Sequence, residues 1–165
     1  MKTKLIFIFL LMMPLSTTLA QSVAEKEAVM KPVKMLFEGM LKGDSALARN
    51  AFEKKVTSAR IGTDKDGKPS IRYESSVDGF IKAIGTPHPE KWSEMIWNEK
   101  ILIDGNLAQV WTNYAFYLGK KFSHCGVDAF HLVKGDDGNW RIFHLADTHQ
   151  KEDCVIPKVI SKQFE

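Results

Sequence analysis

Four long segments with the alternating pattern of β-strands follow one another in the C-terminal half of the chain, and they limit the possible folds more than any other feature. The predicted strands span residues 97–103, 107–118, 122–134 and 140–149. Short Gly-, Asp- and Asn-containing turns separate them, which indicates antiparallel neighbours joined by hairpins. A meander of this kind must bury one face against another layer.

The N-terminal half supplies that layer. Apolar residues recur at helical spacing over residues 25–41, with Pro32 expected to kink or restart the helix and Gly43 to end it. Asp44 is a suitable N-cap for a short second helix, and Ser75 with Asp78 resembles a capping box for a third. Two short strands, 56–61 and 71–74, lie between the second and third helices. The sequence therefore predicts an α+β fold with helices on one face of a bent sheet.

The first twenty residues, MKTKLIFIFLLMMPLSTTLA, have the basic start, apolar run and small-residue end of a secretory signal peptide. We expect residues 21–165 to form a single exported domain, periplasmic or secreted. Removal of Lys2 and Lys4 reduces the 23 basic residues to 21, against 20 acidic ones. This balance gives no electrostatic reason to expect binding to nucleic acid or to an anionic membrane.

The chain has two cysteines, Cys125 and Cys154. In an exported protein an even number of cysteines favours a disulfide, which would contribute roughly 3–4 kcal/mol in the chain-entropy model. The alternative is a pair of free thiols, one of them reactive.

The stretch KKFSHCGVDAFHLV, residues 120–133, places several polar residues in one apolar strand. Residues two apart share a face, so His124 and Asp128 can line one cavity while Cys125 points the other way. A two-residue turn at Gly119-Lys120 would pair residue 117 with 122 and 115 with 124, and a three-residue loop at 136–138 would pair 132 with 142 and 130 with 144. This regular pairing adds further side chains to that face. The candidate ligand-binding residues are Trp111, Asn113, His124, Asp128 and His144. A few polar groups among aromatic ones are typical of a small-molecule pocket, which the pattern favours for His124 and Asp128, whereas His144 could equally be a hydrogen-bonded core residue.

Other kinds of site receive less support. The chain has no His-x-His pair that a strand could direct at a metal ion, so we expect no metal site. A disulfide would remove Cys125 as a nucleophile, and no phosphate-binding loop or Gly-x-Ser-x-Gly motif is present. General acid–base chemistry by a histidine and Asp128 remains possible and would need no cofactor.

Several of these segments together resemble a known family. They are Val110-Trp111-Thr112-Asn113-Tyr114-Ala115-Phe116-Tyr117, Gly119, the run from Phe122 through His124-Cys125-Gly126-Val127-Asp128-Ala129-Phe130, Trp140-Arg141-Ile142, Asp147-Thr148 and Cys154. This set is similar to the exported bacterial branch of the nuclear-transport-factor-2-like superfamily, of the type labelled putative lumazine-binding. The likeness covers residues 28–154.

The resemblance implies a cone-shaped, strongly curved antiparallel sheet wrapped around the N-terminal helices, with a pocket at the open end and homodimers packed through the sheet. The superfamily contains both enzymes and binding proteins, so the fold leaves the function open. We expect an exported small-molecule-binding protein. The alternatives are a cofactor-independent lyase, isomerase or cyclase that uses an Asp–His pair, and an interaction module whose pocket is filled by its own side chains.

Overall fold

The computed structural model describes residues 22–165; the predicted signal peptide lies outside the described residues. Within these residues, four α-helices and six strands follow one another in the order α1, α2, β1, β2, α3, β3, β4, β5, β6, α4, and a 3-10 helix, Lys162–Phe164, comes last. The helices are α1 Val23–Lys42, α2 Ser45–Asn50, α3 Asp78–Gly85 and α4 Lys158–Ser161. The strands are β1 Phe52–Thr63, β2 Pro69–Glu74, β3 Trp92–Asp104, β4 Leu107–Leu118, β5 Lys121–Lys134 and β6 Trp140–Thr148.

The first two helices have the caps that their sequence predicts. Gly43 ends α1 in the left-handed region at φ 67°, where a residue with a side chain would be strained. The Asp44 carboxylate accepts a hydrogen bond from the Leu47 N–H at 2.9 Å and so caps α2. Pro32 lies buried inside α1, which continues through it as one helix and does not restart.

The predicted capping box of α3 is wrong in detail. Val77 is the residue before the helix, and it makes no side-chain cap. The Ser76 hydroxyl, one residue later than expected, accepts from the Asp78 N–H at 3.0 Å. The helix ends at Gly85 as predicted.

The six strands form one curved, open sheet in the order β2-β1-β6-β5-β4-β3. All neighbouring pairs are antiparallel except β1 and β6, which run parallel. The α+β fold with a curved sheet around N-terminal helices is thus confirmed, with one parallel pairing as a departure from a purely antiparallel sheet.

Register shifts interrupt four of the five strand pairings, and the three described next are single-residue β-bulges that the sequence-based pairing missed. Tyr117 pairs with Phe122 as predicted, but an extra residue at Ser123 then brings Phe116, and not Ala115, opposite His124. In the next hairpin Leu132 pairs with Ile142 as predicted.

Beyond that pair an extra residue at Phe143 brings Leu145, and not His144, opposite Phe130. The third bulge interrupts β3 between Trp97 and Lys100, where Asn98 has a positive φ of 59°. A one-residue shift moves every following side chain to the other face of the sheet.

The core lies between α1 and the inner face of the sheet, the face that packs against that helix. Buried residues at helical spacing on α1, including Val29, Val33 and Leu36, meet Phe130 and Ile142 of the sheet. At one end of α1 the Glu25 carboxylate accepts hydrogen bonds at 3.0 Å from both Lys134 Nζ and Trp140 Nε1.

Residues after β6 return across the outer face of the sheet. The predicted disulfide joins Cys125 to Cys154. Beyond it, Phe164 stacks on Tyr117 at 3.7 Å between ring centroids, and Ile160 is buried at 6% exposure. The C-terminal tail therefore packs on its own sheet. Among the described residues, no helix is long and apolar enough to cross a membrane.

Candidate functional site

A cavity of about 620 Å³ lies between α1, α3 and the inner face of the sheet. This volume is in the range of pockets that bind small organic molecules. One part of the wall is apolar and largely aromatic, and the other part is charged. The apolar part includes Leu36, Phe37, Met40, Phe80, Trp92, Phe116, Phe130 and Leu145.

The first charged row crosses three neighbouring strands. Arg60 of β1 lies opposite Asp147 of β6, and Asp147 lies opposite Asp128 of β5. The Arg60 guanidinium donates to both carboxylate oxygens of Asp147, with Nε to Oδ2 at 2.8 Å and Nε to Oδ1 at 3.1 Å. This two-point contact fixes the direction of both side chains.

A second row runs parallel to the first, with Glu94 of β3 opposite Phe116 and Phe116 opposite His124. The Glu94 and Asp128 carboxyls hydrogen-bond to each other, which requires that one of them carry a proton. Asp128 is only 4% exposed, and its Oδ2 has no hydrogen-bond partner among residues 22–165.

The pKa values indicate where that proton resides. Burial, together with the negative charge of Glu94, raises the pKa of Asp128 well above its usual range. Burial also raises the pKa of Glu94, to about 7, and the hydrogen bond from Asp128 limits the rise. Asp128 is therefore the donor and Glu94 the acceptor, and Glu94 changes its charge near neutral pH. Glu94 remains partly exposed because it faces the open cavity.

His124 completes the second row but does not act as a base toward Asp128. It stacks on His149 at 3.9 Å and contacts the Phe116 ring at 5.0 Å. Burial, with a smaller contribution from His149, lowers the pKa of His124 to about 4, so the imidazole is neutral at physiological pH. Asp128 follows four residues later on the same strand, about 13 Å along an extended chain. The acidic partner of Asp128 is Glu94.

Tyr114 lies between the two rows, opposite Gly126. Its hydroxyl donates to the Thr148 carbonyl at 2.7 Å. Burial raises the pKa of Tyr114, and the carboxylates of Asp128 and Asp147 add to the rise, so the phenol stays protonated.

The structure brings only two of the five predicted pocket residues to the cavity, His124 and Asp128. Trp111, Asn113 and His144 lie on the outer face. The bulge at Ser123 aligns Trp111 with Ala129 and Asn113 with Val127.

The bulge at Phe143 has the same effect on His144. It aligns His144 with His131, and the His144 Nδ1 lies 2.7 Å from the Thr57 hydroxyl. For these three side chains the predicted face is wrong, because the prediction assumed regular pairing.

Eight charged or polar residues that line the cavity were not predicted: Ser58, Arg60, Arg72, Glu74, Ser76, Glu94, Tyr114 and Asp147. Glu94 was assigned to a loop because the strand was expected to begin at Trp97, whereas β3 begins at Trp92. The alternation of Trp92, Glu94 and Ile96 was the available signal. The ion pair between Arg60 and Asp147 has a sequence separation of 87 and left no local signal.

Comparisons with known proteins identify the family and the fold of the chain. The sequence pattern of the family described as "Putative lumazine-binding" matches residues 24–145. The chain belongs to this family. The family and the fold together favour binding of a small molecule. No curated protein matches the chain significantly in sequence.

Solved structures show the same fold at low identity. A nuclear-transport-factor-2-like protein of unknown function from Shewanella baltica is 23% identical, with a TM-score of 0.57 over 79% of this chain and 97% of that one. A protein of unknown function from Mycobacterium tuberculosis is 14% identical, with a TM-score of 0.62 over 85% and 86%. A protein described as a putative ketosteroid isomerase, from Shewanella frigidimarina, is 18% identical, with a TM-score of 0.53 over 73% and 94%. At these identities the likeness shows the fold alone.

Proposed function

We propose that this protein binds a small organic molecule in the cavity, with an apolar body against the aromatic wall and a polar group at the charged end. The observation that carries the proposal is the buried Asp128 carboxyl, which faces the cavity with one oxygen lacking an ordinary donor. Buried polar atoms without partners are rare in proteins, and a bound ligand would satisfy this one.

The test is ligand-dependent thermal stabilisation with a library of bicyclic aromatic and heterocyclic compounds. A ligand that binds only the folded state raises the melting temperature by mass action. Gly79 lines the cavity, and a Cβ at this position would meet no atom within 4 Å, so Gly79→Trp places a large side chain at the cavity wall without a steric clash. Gly62, equally open but outside the cavity lining, provides the control Gly62→Trp.

We expect hits with the parent protein and with Gly62→Trp, and a loss of binding in Gly79→Trp. If no compound stabilises the parent, or if hits bind Gly79→Trp equally well, the cavity is not the binding site.

A second candidate is cofactor-independent acid–base catalysis, favoured by the pKa of about 7 at Glu94. A carboxyl that titrates near the working pH can both accept and donate a proton. This replaces the expected Asp–His pair with a Glu–Asp pair. A substrate found through the library should then show a rate that depends on pH around 7, and a loss of about 100-fold in kcat in Glu94→Gln. Full activity in that variant would exclude this mechanism.

Export and assembly complete the proposal. We propose that the first twenty residues direct secretion. Cleavage after Ala20, found in the secreted protein, would support this. We also propose a homodimer that packs through the outer face of the sheet, where Trp111 is 44% exposed.

A further inference from the structure

The charges at the polar end of the cavity do not balance. Two arginines line the cavity, and each is already paired with a carboxylate; no lysine within residues 22–165 lines it. The two ion pairs are Arg60 with Asp147 at 2.7 Å and Arg72 with Glu74 at 3.7 Å. The shared-proton pair of Glu94 and Asp128 is left without a cation of its own.

The chemistry of that pair defines what it can bind. With one shared proton the pair carries a single negative charge, and its remaining lone pairs accept hydrogen bonds. The other titratable groups nearby do not neutralise it, because His124 is uncharged and the Tyr114 hydroxyl donates to the Thr148 carbonyl. The negative charge resides on Glu94, which faces the cavity and has no salt-bridge partner within the described part of the chain, so a ligand that brings a positive charge gains binding energy there.

An organic cation fits better than a metal ion. Among the described residues, no three His, Cys, Asp or Glu side chains gather as a metal site would require. Trp92 lines the cavity two residues before Glu94 on the same strand, and its ring packs edge-on against Phe116 with centroids 6.1 Å apart. Aromatic faces beside a carboxylate attract ammonium groups.

We propose that the cavity takes an amine: a compound with an aromatic or otherwise apolar body and a protonated nitrogen that donates to Glu94 and to the free oxygen of Asp128. This inference rests on the proposed function, since it names the ligand class of the same cavity. The aromatic wall holds the body, and the acidic pair selects the charge.

The test compares three probes with one ring system and different charge: tryptamine, neutral 3-ethylindole and anionic indole-3-propionate. Dissociation constants are measured by ligand-observed NMR titration. Glu94→Gln removes the negative charge at constant size, and Glu99→Gln, an exposed carboxylate on the same strand, is the matched control.

We expect tryptamine to bind the parent at least about tenfold more tightly than either other probe, and to lose about tenfold in Glu94→Gln but not in Glu99→Gln. Because protonation of Glu94 cancels the charge, tryptamine affinity should fall about tenfold from about pH 8 to about pH 6. Tryptamine stays cationic over this range.

Tighter or equal binding of indole-3-propionate or 3-ethylindole would overturn the inference, as would tryptamine binding that survives Gly79→Trp. If tryptamine fails to bind at millimolar concentration while library compounds bind in a Gly79→Trp-sensitive manner, the amine inference fails and the proposed function stands. If neither the probes nor the library bind, both fail.

Discussion

Single side chains decide the chemistry of this protein. Asp128 shares a proton with Glu94 because burial makes two adjacent negative charges too costly. Nothing in the local sequence around Glu94 or Asp128 indicates a raised pKa. The raised pKa values arise because a side chain of β3 contacts a side chain of β5 across β4.

The first prediction concerns stability and pH. The folded-state pKa of Glu94, about 7, lies above its ordinary value of 4.5, so the native state binds more protons than the unfolded state between these values. The free energy of unfolding should therefore decrease as pH rises through this window. Glu94→Gln should flatten the decrease and gain roughly 1–2 kcal/mol at pH above 7, after allowance for water in the cavity.

Urea unfolding at several pH values measures this, with Glu99→Gln as the control. Parallel pH profiles for the parent and Glu94→Gln would show that Glu94 is not perturbed.

The second prediction concerns the close approach at Gly126. A Cβ there would lie 2.1 Å from the Thr148 carbonyl oxygen, the same atom that accepts from the Tyr114 hydroxyl. Gly126→Ala should destabilise the protein by about 2–3 kcal/mol because the end of β6 must move away. Gly62→Ala, where a Cβ meets nothing within 4 Å, should change stability little. Equal effects of the two substitutions in thermal unfolding would contradict the close approach.

At the scale of the elements, the strands provide most of the polar side chains of the site, and the segment after β6 is bonded to β5 beside them. The disulfide ties the segment after β6 to β5, where Cys125 also exchanges two backbone hydrogen bonds with Gln150 at 2.9 Å. His149 precedes this bridge and stacks on His124. The disulfide therefore holds His149 against His124, which lies at one end of the second row.

The third prediction concerns this link. The disulfide spans 29 residues in sequence, so its loss should cost about 3–4 kcal/mol in the chain-entropy model. The double variant Cys125→Ala with Cys154→Ser should unfold at lower urea concentration than the oxidised parent. A reductant should destabilise the parent and leave the variant unchanged. A parent that is insensitive to reductant under unfolding conditions would argue against the bond.

The fourth prediction concerns the C-terminal tail. Ile160 is 6% exposed and Val159 is 73% exposed, so adjacent residues test whether the tail docks on its own sheet. Ile160→Ala should lower the free energy of unfolding by about 2 kcal/mol, and Val159→Ala should change it by less than about 0.5 kcal/mol. Similar values for both in urea unfolding would show an undocked tail.

For the whole molecule, the curved sheet leaves two faces with different roles. The inner face, with α1 and α3, encloses the core and the cavity. The outer face carries Trp111 and the histidines His131 and His144, whose ring centroids lie 5.6 Å apart. Three residues first assigned to the pocket lie on this outer face, so they become candidates for an assembly surface.

The fifth prediction tests that surface. We expect the protein to sediment as a dimer, and Trp111→Glu to shift it to a monomer because a charge at an apolar contact must be desolvated. Tyr73→Glu, a 73% exposed aromatic on the edge strand β2, should leave the dimer intact. A monomeric parent at high concentration, or a dimer that tolerates Trp111→Glu, would exclude packing through this face.

The sequence alone was sufficient for everything that depends on local pattern. Helical spacing and caps located α1 and α2, turn residues located the hairpins, and the pairings next to each turn, Tyr117 with Phe122 and Leu132 with Ile142, were correct. The family resemblance and the cysteine count identified the fold and the disulfide.

The tertiary structure decided which side chains face the cavity. Each β-bulge adds one residue to one strand, and with a side-chain period of two this moves all later residues to the opposite face. Polar and apolar residues alternate in the same way before and after a bulge. A single sequence therefore does not reveal the residue at which the inward-facing and outward-facing positions exchange. The Glu94–Asp128 pair therefore emerged only once β3, β4 and β5 were aligned, because the bulges set which side chains meet.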